Sequence, residues 1–103
     1  MIQTVSRKRI EILVDTPLVP RVVAQLKAVD ISGWSVIHVD SGGGRAGEWQ
    51  HDDVTGASAK TIVLAIASET KTSGLIEAIA PLLDSYGMLL TIGDVQVVRG
   101  ERF

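Results

Sequence analysis

The sequence has no cysteine, which excludes disulfides, thiolate metal sites and thiol nucleophiles together. Aromatic residues are nearly as scarce. Two Trp, one Tyr and one Phe make up 4% of the chain, so the core has to be built from aliphatic side chains. There is no excess of positive charge: ten Lys and Arg against twelve Asp and Glu give a formal net charge of -2. Such a balance does not supply the broad phosphate-neutralising surface of a nucleic-acid binder. Long apolar runs are missing as well. Stretches such as residues 62–67 fall far below the ~20 residues of a membrane span, and the first residues lack the apolar region of a signal peptide, so the expected location is cytoplasmic. What the chain does have is 46% apolar residues over 103 positions, enough to offset the entropy of ordering one core and therefore one domain, residues 1–103.

Hydrophobic periodicity divides this domain into six elements. Residues 8–14, KRIEILV, alternate Ile10, Ile12 and Val14 against Arg9, Glu11 and Leu13, the pattern of a strand with one buried face. Asp15, Thr16 and Pro17 offer a cap and a first-turn proline to a helix carrying Leu18, Val22 and Leu26 on one stripe beside Val19 and Val23; Pro20 leaves its start open by about three residues. Residues 34–39 form a second strand, and residues 61–67 a third whose continuous apolar run predicts burial on both faces. Between them, residues 40–60 show no periodicity. Ser73 and Gly74 open a second helix with Leu75, Ile79, Leu82 and Leu83 in one stripe, kinked or shortened by Pro81. Residues 88–98 form the last strand, bent or bulged at Gly93 and Asp94.

The order β-α-β-β-α-β predicts an α+β, ferredoxin-like fold in which a four-stranded antiparallel sheet carries both helices on one face. Its other face, expected to hold Leu13, Ile37, Val63 or their neighbours, is then left bare. Cover by other subunits of a ring is the expected remedy.

The candidate chemistry lies in the connection between strands two and three, about 20 residues where hairpins use two to five. It opens with Ser41, Gly42, Gly43, Gly44, Arg45, Ala46 and Gly47. Glycines let a backbone approach an anion while neighbouring N–H groups form a nest, so the run reads either as a phosphate or nucleotide site or as a flexible hinge with a solvated Arg45. No G-K-[ST] follows it and no helix starts after it, which excludes a Walker loop and a dinucleotide fingerprint. Trp49 is either an anchor for a partner or packed on its own domain. Glu48, His51, Asp52 and Asp53 read as solvated charges rather than as a metal site, and His38 as a face residue rather than a catalyst. No triad or nucleophile elbow is present. Arg99 and Arg102, at the end of the last strand, suit bidentate phosphate contacts or form an ordinary charged tail.

Taken in order, KRIEILV, GWSVIHVDSGGGRAG, AKTIVLAI and YGMLLTIGDVQVVRGER resemble the PII and PII-like signalling proteins over residues 8–102. The resemblance implies a homotrimer with a long, flexible T-loop over about residues 41–60 and nucleotide sites between subunits. It places Ser35 near the adenine, Gly43 against the nucleotide, Lys60 after the T-loop, Gly87 in the turn called the B-loop, and Arg99 and Arg102 facing phosphates. Arg45 stands where nitrogen-regulatory members have a glutamine that helps bind Mg-ATP and 2-oxoglutarate. The B-loop before Gly87 lacks their lysines, and the loop has no tyrosine for uridylylation. These departures, with SGGGRAGEW, make the chain most similar to the carboxysome-associated PII-like branch. The ligands so implied are ADP or AMP, with ATP less favoured, and bicarbonate near Gly42, Gly43, Gly44 and Arg45. The implied partner is a T-loop-binding protein such as a bicarbonate transporter or a carboxysome-linked protein, met through Trp49. The expectation is a regulator of inorganic carbon metabolism and not an enzyme, without a metal or other cofactor. A small phosphate-ester or acyl-phosphate hydrolase and a purely structural assembly protein are the competing readings.

Overall fold

The computed structural model describes residues 2–44, 47–50 and 59–98. The main sheet contains β1 (Thr4–Asp15), β2 (Trp34–Val39), β5 (Lys60–Ala67) and β6 (Leu89–Val98), ordered β2-β5-β1-β6 with every neighbouring pair antiparallel. Helices α1 (Val19–Ala28) and α2 (Glu69–Ser85) cross one face, as the ferredoxin-like plan requires. A second, two-stranded sheet pairs β3 (Ser41–Gly44) with β4 (Gly47–Gln50).

The core is aliphatic, as the shortage of aromatics dictates. Ile10, Ile12 and Val14 of β1, Val63, Ala65 and Ala67 of β5, Val22 and Leu26 of α1, Ile31, and Leu75 and Ile79 of α2 form one buried cluster. Trp34 is its only aromatic neighbour among the described residues, partly buried beside it with the Lys27 ammonium 5.6 Å from a ring centroid. The sheet's helix-covered face therefore contains the alternate residues anticipated for the first strand.

Several expectations need correction. Residues 61–67 are not buried on both faces: Thr61, Val63, Ala65 and Ala67 are buried, while Ile62, Leu64 and Ile66 are only half-buried on the open face. An all-apolar run reports the hydrophobicity of two faces but not whether one chain can cover both. Val63 belongs to the core, not to the open face, because it pairs with Ile12 and Val36 on the helix side.

The connection after β2 is not wholly irregular, since Ser41, Gly42, Gly43 and Gly44 pair with Gln50, Trp49, Glu48 and Gly47. A glycine-rich strand carries no hydrophobic alternation, so periodicity could not show it. Helix α2 begins at Glu69 rather than at Ser73, capped by Ser68, whose Oγ accepts the Lys71 N–H at 3.2 Å, and it runs on past Pro81 to Ser85. The β6 ladder passes through Gly93 and Asp94 in unbroken register with Arg9 and Lys8, without a bulge.

Helix α1 is preceded by a single 3₁₀ turn, Thr16–Leu18, for which Asp15 makes no capping hydrogen bond. At its other end Asp30 adopts φ 63°, and the Ile31 N–H reaches the Leu26 carbonyl at 2.9 Å, closing the helix with a left-handed residue where glycine is commoner.

Candidate functional site

Strand register places the candidate residues relative to one another. Val39, Lys60 and Asp15 are neighbours across β2, β5 and β1 at one end of the sheet. Two residues further in, Ile37, Ile62, Leu13 and Leu89 make an apolar row across all four strands of the face that carries no helix. Ile37 and Leu89 are 44% and 57% exposed, so this row is an apolar surface that one chain leaves uncovered.

Lys60 opens β5 directly after the long connection, and its Nζ forms an ion pair with Asp15 Oδ1. Two further links hold the same corner. The Thr16 N–H donates to the Ala59 carbonyl at 3.1 Å, and the hydroxyls of Thr16 and fully buried Thr61 are bonded at 2.8 Å. The exit of the loop is thus tied to the end of β1 through backbone and side chain alike.

The entry is the glycine hairpin. Its turn needs glycine at Gly47, where φ is 107° and other residues are strained. Gly43 and Gly44 have no such reason: a Cβ at Gly43 would meet only Glu48 Cγ at 3.8 Å, and one at Gly44 nothing. Among the described residues nothing crowds Gly43 or Gly44, which leaves their backbone open to close approach.

Gly87 lies at the same end of the sheet, two residues before Leu89, which pairs with Leu13. The preceding turn is held by the Tyr86 N–H on the Leu82 carbonyl and the Met88 N–H on the Tyr86 carbonyl, both at 2.9 Å. Arg21 of α1 donates to the Tyr86 hydroxyl at 2.7 Å, with its guanidinium carbon 5.6 Å from the ring centroid. Ser35 is exposed on edge strand β2, opposite Leu64 on the open face and four residues along the strand from Val39.

The structure therefore gathers Lys60, the base of the glycine hairpin and the Gly87 turn, and puts Ser35 about 13 Å down the open face from the Lys60 row. Val98, the residue before Arg99, pairs with Thr4 at the opposite end of β1. Arg45, His51, Asp52, Asp53, Arg99, Arg102 and the Trp49 side chain lie outside the described residues. His38 is exposed on the helix side of β2, opposite Thr61. Among the described residues no three His, Asp or Glu side chains converge as a metal site would need.

Sequence reading misses the partner of Lys60, because Asp15 has the look of a helix cap; only the β1–β5 register reveals the pair. It also misses the Arg21–Tyr86 contact, which joins residues 65 positions apart. The ion pair of Lys8 with Asp94, 2.5 Å between β1 and β6, holds the lysine's pKa above its ordinary 10.5 through the hydrogen bond and charge of the carboxylate.

A search of curated protein sequences finds no significant match. The profile of the family described as nitrogen regulatory protein P-II matches residues 7–102. Among solved structures, CPII from Thiomonas intermedia K12, a nitrogen regulatory PII-like protein bound to ADP, AMP and bicarbonate, superposes with a TM-score of 0.85 at 20% identity, covering 94% of this chain and 92% of that one. A candidate PII-like signalling protein from Thermus thermophilus gives 0.83 at 20% identity over 98% of both chains. The GlnK–ATP complex of B. subtilis gives 0.63 at 10% identity, over 87% of this chain and 82% of that one.

Proposed function

The chain belongs to the nitrogen regulatory protein P-II family, and from that premise we propose that it is a PII-like regulatory protein binding adenine nucleotide and bicarbonate between the subunits of a homotrimer. ADP and AMP are the favoured nucleotides. The observation that carries this reading is the separation of the candidate residues. Lys60, the hairpin base and Gly87 stand at one end of the sheet, whereas β1 extends over roughly 35 Å to the end where Thr4 meets Val98. Arg99 follows Val98, so Arg99 and Lys60 act on one nucleotide only if they come from different chains. The open-face row Ile37, Ile62, Leu13 and Leu89 supplies the surface that brings chains together.

In this reading Ser35 borders the adenine, and Lys60, Arg99 and Arg102 contact phosphates. Gly87 and Gly43 let backbone approach the nucleotide, and Gly42, Gly43, Gly44 and Arg45 share a second anion, bicarbonate. The binding of ADP, AMP and bicarbonate by the Thiomonas protein of similar fold supports this choice of ligands. Two neighbouring anions repel, so they cooperate only when the first orders a loop that the second also needs. The ordered T-loop then gains or loses a partner through Trp49, in the service of inorganic carbon metabolism. The switch requires different nucleotide affinities for two loop states and no turnover.

Calorimetric titration with ADP and AMP, each with bicarbonate or chloride at fixed pH and ionic strength, tests the reading. Bicarbonate should raise nucleotide affinity by the same factor as nucleotide raises bicarbonate affinity, and Arg45→Ala should abolish both effects. Arg99→Ala should weaken ADP binding about tenfold, the effect of losing one charge-assisted contact. Equal affinities in bicarbonate and chloride remove the bicarbonate assignment alone; no binding of either nucleotide removes the whole reading.

A further inference from the structure

We infer that Asp15 sets the charge preference of the nucleotide site, disfavouring the more highly phosphorylated ligand; this rests on the nucleotide reading above. The residue stands where a helix cap is expected, yet it makes no capping hydrogen bond and instead places its carboxylate on Lys60. The two are register partners on β1 and β5, so their side chains leave the same face of the sheet at the same level. The Lys60 side chain is 22% exposed and that of Asp15 42%. The carboxylate is thus the more accessible half of the pair, and an anion approaching the ammonium meets it at close range.

The backbone next to this carboxylate is held in place. Thr16, the next residue, is fixed through its N–H to Ala59 and through its hydroxyl to buried Thr61. An incoming phosphate therefore finds the ammonium already carrying a negative partner. To first order the pair is neutral, and the residual interaction of the phosphates with Asp15 is repulsive and proportional to the ligand's charge. AMP suffers it least and ATP most. An ammonium can donate three hydrogen bonds, so the carboxylate lowers affinity for a phosphate without excluding it.

The test is calorimetric titration of the full chain with AMP, ADP and ATP, free of divalent cations and at constant ionic strength, for wild type, Asp15→Asn, Lys60→Gln and the double variant. Asparagine keeps the shape of aspartate and can accept from Lys60, so the strand ladder should survive; a thermal melt checks it, and Asp15→Ser serves if asparagine weakens the fold. Asp15→Asn should raise ATP affinity about tenfold and AMP affinity only about threefold, as expected for a charge effect proportional to ligand charges of about −4 and −2. In the Lys60→Gln background, where no ammonium offsets the carboxylate, Asp15→Asn should change that selectivity by at least as much as in wild type. An equal change for all three nucleotides, or a general loss of affinity, would make Asp15 a structural residue and overturn the inference while leaving nucleotide binding intact. Failure of wild type to bind any of the three overturns the underlying reading instead.

Discussion

Thr61 shows what one hydroxyl can do at this site. It is completely buried on the helix side of β5, and its only requirement, a hydrogen-bond partner, is met by Thr16 at 2.8 Å. Thr61→Val keeps the shape and removes the bond, and it should lower unfolding free energy by about 1 kcal/mol in urea denaturation. Lys8 is the counterpart at the other end of β1. Its pKa is raised by the hydrogen bond and charge of Asp94, so the folded state holds the Lys8 proton more tightly than the unfolded chain does. That contribution is fully present below the ordinary lysine value of 10.5 and fades as pH rises through the raised one. Thermal midpoints measured from about pH 9 to about pH 11.5 should fall more steeply for wild type than for Lys8→Met. Equal slopes would show that the pair does not couple to folding.

Among the elements, α2 depends on its start. Ser68 accepts the Lys71 N–H, its carbonyl accepts both the N–H and the hydroxyl of Thr72, and Leu75 and Ile79 then bury the apolar stripe. Ser68→Ala should cost about 1 kcal/mol by chemical denaturation, the usual effect of losing an N-cap side chain. Leu26→Ala in α1 should cost about 2–5 kcal/mol, since a fully buried Leu leaves a cavity that the sheet beneath cannot fill. Both helices are readable from their stripes, but their first residues are not. Pro20 falls in the first turn of α1, and the polar residues from Glu69 to Ser73 carry no periodicity, so only hydrogen bonding locates where each ladder begins. The glycine hairpin is hidden for the same reason, as glycine has no side chain with which to reveal a face.

At the scale of the molecule the outstanding demand is the open face. Ile62 sits at its centre with Ile37 on one side and Leu13 on the other, all paired in one register row. Ile62→Glu would place a charge in the middle of any interface formed there, where desolvation is unfavourable without a partner. Light scattering should report three chain masses for wild type and one for the variant, with far-UV circular dichroism unchanged. A wild type of one chain mass, 11.0 kDa, would remove the trimer and the shared site with it.

The alternation of Ile10, Ile12 and Val14, the stripe of Val22 and Leu26, and the order of elements are enough to specify a ferredoxin-like sheet with helices on one face, because these patterns are local consequences of a period of two or of 3.6. The glycine run and Lys60 are equally plain in the sequence. Pairing is different, since it joins residues far apart in the chain and depends on which strands lie side by side and in what register. The two faces of an apolar strand look alike until a neighbouring strand assigns Val63 to the core and Ile62 to the open side. Asp15 likewise reads as a helix cap until β5 lies beside β1, because the cation that claims its carboxylate is 45 residues away and reaches it only through the tertiary fold.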